Sequence, residues 1–501
     1  MEARARIPVG PPVSNPLPSY WQHPKSPLAA TIEPSTSHPT QPYDYAIIGS
    51  GISGTMIAYN LLTTHPNSRV ILLDAREMCS GATGRNGGHT KAASYRTYLQ
   101  HKEELGTEEA MRIVRLEWAN IVETHRLARE LEVECEGTMC NTVDLIYDEE
   151  TFELGKRSIE QLREDAEESE KEWGKMAWYR VYEKDGGFKQ KFWVAGENTN
   201  AAVREGEKVV GAFEYVAGRI HAYRFTTGVL KECVKKGLEL CANTPVHSIL
   251  PSPNTTSPSK PVYDIFTQYT TISTHNVILA TNGYTPYLLP SLLGAIVPLR
   301  GQITVQRPPK TAKHPSVLPH TYSFIYASGY EYMIPRQLPD GGQHIVIGGG
   351  LGRLPQGGVT EYGTVDDSAL NKDVGEYLHG TVSGYFGAPS PDAAVAEEPK
   401  YETVAEWTGI MGATADGRPF VGEVPGQKGV WISAGFNGHG MVLCLKSAEA
   451  LVKMMGGEGG LEWFPESFLI SEERLEKCHF RGRTDMPVPE TGGGPVGDGK
   501  G

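Results

Sequence analysis

Three glycines spaced as Gly49-Ser50-Gly51-Ile52-Ser53-Gly54, with Asp74 following, have the types and spacing to hold a pyrophosphate and a ribose. Gly49 permits a tight turn, Gly51 lets a phosphate approach the backbone, and Gly54 allows a helix to pack closely on a strand. The N–H groups and positive dipole end of such a helix favour phosphate. Asp74 lies about 20 residues past the last glycine, where an acid accepts a ribose hydroxyl and opposes a 2′-phosphate. NADP is therefore disfavoured, while NAD and FAD are not separated by these residues. A second cluster, Cys79-Ser80-Gly81-Ala82-Thr83-Gly84-Arg85-Asn86-Gly87-Gly88-His89, combines small residues with one arginine. Backbone and hydroxyl donors there can crowd a second phosphate or a flavin edge. No Ser-His-Asp arrangement is visible, and no His/Cys/Asp cluster has the spacing of a metal site.

The elements that must position these residues follow from the apolar pattern. Tyr45-Ala46-Ile47-Ile48 predicts a strand, Ile52 to about Thr64 a helix, and Val70-Ile71-Leu72-Leu73 a second strand after a turn at His65-Pro66-Asn67-Ser68. Between residues 108 and 131, Met111, Val114, Trp118, Ile121, Val122 and His125 share a helical face and predict a core-facing helix. The acidic run 164–172 reads as the solvated face of another helix. Residues 251–261 form a Pro/Ser/Thr/Asn loop between strands. Residues 324–336 and 344–349 read as two strands joined through Pro339-Asp340-Gly341-Gly342.

A chain of 501 residues suits two interwoven domains. The net charge of −13 argues against nucleic acid or an anionic membrane as partner, and no apolar run is long enough to span a bilayer. Seven scattered cysteines without a Cys-x-x-Cys pair poorly suit a disulfide framework. Without a secretory signal or a peroxisomal tripeptide, a reducing, cytoplasmic setting is expected. Residues 1–42, rich in Pro, Ser and Thr, read as an extended arm or disordered leader, with Tyr20-Trp21 able to pin it to the body. The Gly- and Pro-rich stretch after Arg483 reads as unstructured.

From the second glycine cluster onward the chain resembles the D-amino acid oxidase-type FAD-dependent oxidoreductases, which include glycine, sarcosine and γ-glutamylputrescine oxidases. The segment Gly81-Ala82-Thr83-Gly84-Arg85-Asn86-Gly87-Gly88 is most similar to the γ-glutamylputrescine oxidase branch and its fungal relatives, as is Pro18-Ser19-Tyr20-Trp21. Asn243-Thr244-Pro245-Val246 resembles the strand whose valine backbone contacts adenine. Val277-Ile278-Leu279-Ala280-Thr281-Asn282-Gly283 resembles the strand that closes over the cofactor. Residues 414–422, followed by Gly435-Phe436-Asn437-Gly438-His439-Gly440-Met441, resemble the C-terminal signature, a second glycine loop opening a helix near the flavin N1–C2=O edge. The resemblance spans roughly residues 40–456 and moves the expected cofactor from NAD-or-FAD to FAD.

The implied fold is α/β: a Rossmann-type FAD-binding domain of the glutathione reductase-like kind, interwoven with an α+β substrate domain built on an antiparallel sheet. Its expected segments are an arm (1–42), FAD-binding parts (43–100, 205–295 and 400–480), substrate-domain parts (101–204 and 296–399) and a disordered tail (481–501). The resemblance assigns cofactor contact to Gly49, Ser50, Gly51, Ile52, Ser53, Gly54, Asp74, Ala75, Arg76, Ala82, Thr83, Arg85, Asn86, Gly87, Gly88, Val246, Ala280, Thr281, Asn282, Gly283, Asn437, Gly438, His439, Gly440 and Met441.

The implied reaction removes a hydride from the carbon beside an amine nitrogen, gives an imine that hydrolyses, and passes electrons to O2 to form peroxide. Alignment of the C–H bond, with the amine neutral, does most of this work. Tyr326, Tyr332 and Arg336 are expected to bound the substrate pocket, with Arg336 gripping a carboxylate, Arg300 an equal candidate anion contact, and His439 beside the flavin. Tyr332, Arg336 and His439 are the catalytic candidates. A non-covalent flavin is expected, since residues 407–413 lack the cysteine used by the sarcosine oxidase type and Arg85 stands where another relative has a linking histidine. An alternative is a flavoenzyme of the same fold acting on a C–C or C–O bond in secondary metabolism. A flavin monooxygenase is a third reading and a non-enzymatic FAD-binding protein a fourth.

Overall fold

The strand Tyr43–Ile48 lies parallel between Val70–Leu73 and Thr271–Leu279 in the computed structural model, which describes residues 1–30, 41–184, 186–203, 206–258, 260–388 and 400–484. Where they run side by side, at Ala46–Ile48, Val70–Leu73 and Val277–Leu279, these strands are continuously apolar because both faces are covered. Ile47, Leu72 and Ile278 pack toward helices Ile52–Thr64, Ala222–Lys235 and Gly440–Met455. Their neighbours Ala46, Ile48, Ile71 and Leu279 face the opposite core, shared with Val246, Ile265 and Phe420. The sheet is completed by Glu239–Cys241, by Val246–Pro251 and Tyr263–Thr267, and by Val430–Ala434 with Phe420–Glu423.

Among the described residues the second sheet has nine strands. Glu402–Thr414, Ile296–Arg307, Gln343–Gly349, Gly329–Gln337 and Thr321–Tyr326 follow one another antiparallel. Thr321–Tyr326 then pairs parallel with Thr138–Ile146, which pairs antiparallel with Gly211–Arg219. His89–Thr90 and Tyr179–Glu183 also join Gly211–Arg219. The α/β class matches expectation. His89–Thr90, Gly211–Arg219 and Glu402–Thr414 belong to the second sheet, although segments 43–100, 205–295 and 400–480 were expected in the nucleotide-binding part.

Residues 324–336, expected as one strand, are divided between a hairpin's two strands that turn at Ala327-Ser328, with Gly329 closing the turn opposite Tyr326. Helix Thr107–Glu130 buries Met111, Val114, Ile121 and His125 as the periodicity requires, but Val122 is 40% exposed, lying off the edge of the stripe. The acidic run starts in the last two residues of helix Glu149–Asp165 and continues past its end, where Glu170 pairs with Arg115. Among the described residues no helix is long and apolar enough to cross a membrane.

The leader is the largest departure. Residues 1–30 are docked, with Trp21 3% exposed and edge-on to His221, while Tyr20 stacks on Trp407 and bonds His344. Tyr20-Trp21 therefore does pin the arm, and the arm up to residue 30 is an ordered part of the fold. Residues 31–40 of the arm and 485–501 of the tail lie outside the described residues.

Candidate functional site

The glycine turn after Tyr43–Ile48 opens on a cavity of about 330 Å³ between the two sheets. Two of its glycines are demanded by the backbone alone. Gly49 has φ +106°, and a Cβ there would lie 2.5 Å from the Ala280 carbonyl oxygen. A Cβ on Gly54 would lie 1.9 Å from the Gly49 oxygen, so Gly54 serves helix-on-strand contact and does not line the cavity. Gly51 differs: a Cβ would meet only the Thr83 hydroxyl, at 3.2 Å, and Gly51 lines the cavity. Its lack of a side chain answers no demand of the fold, and is what close approach of a phosphate to the backbone requires.

Ser50, Ile52, Ser53, Ala75, Ala82, Thr83, Asn86, Gly87, Val246, Ala280, Thr281, Gly438, Gly440 and Met441 also line the cavity. The Ile52 N–H donates to Thr83 Oγ1 (3.0 Å), tying the helix start to the second glycine cluster. Asp74 accepts from the Ser50 N–H (2.9 Å), the Ser50 hydroxyl and the Arg76 N–H (2.9 Å), and lines the cavity beside them. A carboxylate has about four acceptor positions, so one remains for a ribose hydroxyl. Burial pushes the Asp74 carboxyl upward, and the Ser50 and Arg76 hydrogen bonds oppose that shift.

At the far side, helix Gly440–Met455 points its N-terminus at the same cavity, with His439 as the cap residue and no side-chain cap. Its loop is held by Asn282, whose Oδ1 accepts the Gly435 and Phe436 N–H groups (3.0 and 3.2 Å). His439 Nδ1 lies 3.0 Å from the Asn437 carbonyl oxygen. Two helix N-termini thus face one elongated cavity, an arrangement that accommodates a dinucleotide with a phosphate end and an anion-stabilised ring end. The residues present fit FAD.

Several expected contacts serve other purposes. Gly88 and Gly283 do not line the cavity; a Cβ on either would strike a carbonyl oxygen, of Ile220 at 2.4 Å or of Met411 at 2.3 Å. Asn437 turns its amide away, to the Thr414 N–H and hydroxyl and the Gly435 carbonyl. Arg76 and Arg85 line the cavity, but their guanidinium groups are engaged by protein. Arg76 forks onto Asp367 (2.9 and 3.1 Å), and Arg85 donates to the Ser80, Thr408 and Leu17 carbonyls (2.8, 2.9 and 2.8 Å).

The substrate-side expectations need more correction. Tyr332 lines the cavity, closed over by Gly87 and Gly348, either of whose added Cβ would touch its ring or hydroxyl at about 2.5 Å. Arg336 is elsewhere: it binds Glu136 through two bonds (2.8 and 2.7 Å) and the Tyr20 hydroxyl at 2.6 Å, so it anchors the leader. Arg300 is paired with Glu361 (2.7 Å), and Tyr326 donates to the buried Glu331 (2.8 Å); neither lines the cavity.

The cavity's basic and aromatic end is instead made by Lys91, Arg96, Tyr330 and Arg483, none of which the sequence reading had singled out as a contact, together with His89. Lys91 pairs with Asp144 and donates to Ser323 Oγ (2.6 Å), while Tyr95 and Tyr215 both donate to Asp144 (2.8 Å each). Burial lowers the Lys91 pKa and the Asp144 charge raises it back in part. His89 faces Thr321 Oγ1 at 2.7 Å; burial, then the Lys91 charge, holds it well below its ordinary value, so its ring is neutral. The Arg96 guanidinium lies 4.1 Å over the Tyr330 ring, and Arg483 donates to the Tyr330 hydroxyl (3.0 Å). Lys91 follows the glycine cluster by three residues, a proximity that could have flagged it; Arg483 carried no such signal.

The description "FAD dependent oxidoreductase" (DAO) belongs to a family model that matches residues 44–454. The chain is 26% identical over 436 residues to the probable oxidoreductase OrdL of Rhizobium meliloti (strain 1021), covering 84% of this chain and 87% of that protein. Its fold resembles the glycine oxidase of Geobacillus kaustophilus, with TM-score 0.62 and 18% identity over 87% of this chain and 99% of that one. The L-amino acid deaminase of Proteus vulgaris, lacking its specific insertion, superposes with TM-score 0.60 at 17% identity, covering 89% of this chain and 98% of that one.

Proposed function

The chain belongs to the FAD dependent oxidoreductase family, and on that premise we propose that it holds FAD along this cavity and oxidises the C–N bond of a small amine or amino acid. The observation that carries the reading is the single cavity itself. One end is flanked by Asp74, the bare backbone of Gly51 and a helix N-terminus, and the other by a second helix N-terminus, Tyr332, His89 and a basic cluster. In this reading the 49–54 turn binds the pyrophosphate, Asp74 a ribose hydroxyl and Val246 the adenine side.

When bound, FAD supplies the hydride acceptor, and O2 takes up the electrons as H2O2. The chain's own task is positioning: Tyr332 and Tyr330 wall the reacting end and exclude water, and a fixed C–H orientation provides most of the acceleration. The substrate enters as the neutral amine and leaves as an imine that hydrolyses in water. The neutral His89 ring, bonded to Thr321, adds no charge to that end of the cavity. Non-covalent attachment is supported by the absence of cysteine from residues 407–413 and by the engagement of His89 with Thr321.

Anaerobic mixing of the purified yellow protein with a panel of secondary amines, polyamines and amino acids tests the proposal. Bleaching near 450 nm (about the usual flavin absorbance), followed by peroxide on admission of air, is expected with at least one of them. A flavin that stays oxidised across the panel but bleaches with alcohols or other C–H donors would replace C–N oxidation by C–O or C–C oxidation.

A further inference from the structure

The residues around the nucleotide end of the cavity are not all supplied by the region that matches the family. Pro11 and Pro12, in the docked leader, line the cavity with Gly49, Asp74 and Val246. The next residues tie down the loops that would hold a dinucleotide. The Val13 carbonyl accepts from Arg76, two residues beyond Asp74, at 3.3 Å, and the Leu17 carbonyl accepts from Arg85 at 2.8 Å. Ser19 Oγ donates to the Gly84 carbonyl at 2.7 Å, and the Gln22 amide donates to the Ser80 and Gly84 carbonyls (3.3 and 3.4 Å). The run therefore crosses from the Asp74 strand end to the second glycine cluster, the stretch where ribose and pyrophosphate lie in the proposed reading.

Its attachment is that of a separable element. Residues 7–18 form neither helix nor strand. Among the described residues, that run donates one backbone N–H bond to the body of the protein, from Leu17 to the Asp367 carbonyl (2.9 Å). Side-chain bonds to carbonyls do the rest, and prolines at 8, 11, 12, 16 and 18 have no N–H to offer. The anchors lie at the two ends: Arg4 donates to the Tyr362 and Thr360 carbonyls (2.7 and 2.8 Å), and Trp21 is 3% exposed against Cys79 and Tyr223. Such a segment can lift without unmaking either sheet, and proline lowers the entropy lost when it settles again.

We propose that residues 10–22 are a strap belonging to the cofactor site: the strap closes over the ribose and pyrophosphate after FAD has entered, and FAD leaves only when the strap lifts. The proposal rests on FAD being the ligand. By reciprocity, a strap that retains FAD must itself be held by FAD. Two measurements follow. Trypsin cleavage after Arg6 and Lys25 in the full-length protein should be slower with FAD bound than in the apoprotein. Trp21→Ala should shed FAD faster, by about tenfold or more, as expected if loss of the anchor opens a site held by charge-assisted hydrogen bonds. Dissociation is read from the rise in free-flavin fluorescence on dilution, and circular dichroism of the apoprotein checks folding.

Leu17→Pro with Ser19→Ala is a milder release that keeps the buried Trp21, removing one backbone and one side-chain bond of the strap. Equal cleavage of apo- and FAD-bound protein would overturn the strap. So would an unchanged FAD off-rate in a folded variant whose leader is cleaved faster than wild type. Protein that takes up no FAD under any condition would instead defeat the cofactor reading, a result distinct from either.

Discussion

Replacing Gly51 by alanine separates what the cofactor needs from what the fold needs. The backbone there has φ −63° and ψ −179°, an extended conformation open to any residue, and the added Cβ would meet only Thr83 Oγ1 at 3.2 Å. A hydroxyl can yield the few tenths of an ångström required. Gly51 is the N-cap of helix Ile52–Thr64, where alanine in place of glycine costs about 0.5–1 kcal/mol, so the apoprotein should stay folded with its melting temperature lowered by a few degrees at most. For the ligand the change is larger, because the methyl group occupies cavity space against the N–H groups. Loss of one charge-assisted hydrogen bond to phosphate, about 1.5–3 kcal/mol, weakens FAD binding roughly 10- to 150-fold. Titration of apoprotein with FAD, followed by quenching of flavin fluorescence, measures this directly. Gly54→Ala is the control with the opposite profile, since its Cβ would lie 1.9 Å from the Gly49 oxygen and should prevent folding. A folded Gly51→Ala protein with FAD affinity within about twofold of wild type would refute the reasoning, since a lost phosphate contact must cost more than that.

Glu117, buried beside the Ser94 hydroxyl, has its carboxyl pushed up to about 7 by burial. The unfolded chain releases this proton near the ordinary value of 4.5. Stability is therefore complete below that pH, falls as pH rises toward 7, and is lower by about 3 kcal/mol above it. Glu117→Gln should raise the melting temperature at pH 8 and leave it nearly unchanged at pH 4; an equal gain at both would contradict the assignment. Lys91→Met strands the buried Asp144 charge and should destabilise by about 3–5 kcal/mol in chemical denaturation, with Asp144→Asn restoring much of the loss. If the double variant is no better than the single, the pair is not what Lys91 contributes to the fold. Acid precipitation should leave the yellow colour in the supernatant, and colour retained in the pellet would mean that the flavin is covalently attached.

Residues 45–74 were legible because every part of that unit is local: a strand, a turn that needs Gly49, a helix, and a second strand ending at Asp74. The other end was not. Lys91, Arg96, Tyr330 and Arg483 arrive from separate elements, and only the pairing of Thr321–Tyr326 with both Gly329–Gln337 and Thr138–Ile146 brings their neighbourhood together. Glycine was an ambiguous witness: Gly54, Gly88 and Gly283 answer to nearby carbonyls and Gly51 does not, a distinction invisible without coordinates. Arg336 and Arg300 looked like anion contacts because an isolated arginine near an apolar strand fits that role, yet each had an acidic partner far away in sequence, Glu136 and Glu361. The leader's composition suggested disorder, and its docking depends on accepting bonds from Arg76 and Arg85 through carbonyls, a property every residue shares.

The pairing of Val430–Ala434 with Thr271–Leu279 has a consequence for how the protein is made. The sheet that carries the glycine turn is assembled from three stretches of chain, and helix Gly440–Met455 comes after the last of them. A ribosome that has released only the first half of the chain has exposed the phosphate turn and its strand, but not the partners that bury their other edge. Such intermediates show unpaired strand edges and invite capture by chaperones or by one another. Nonsense or frameshift changes before residue 434 should therefore yield no smaller dinucleotide-binding fragment, only chain that is cleared.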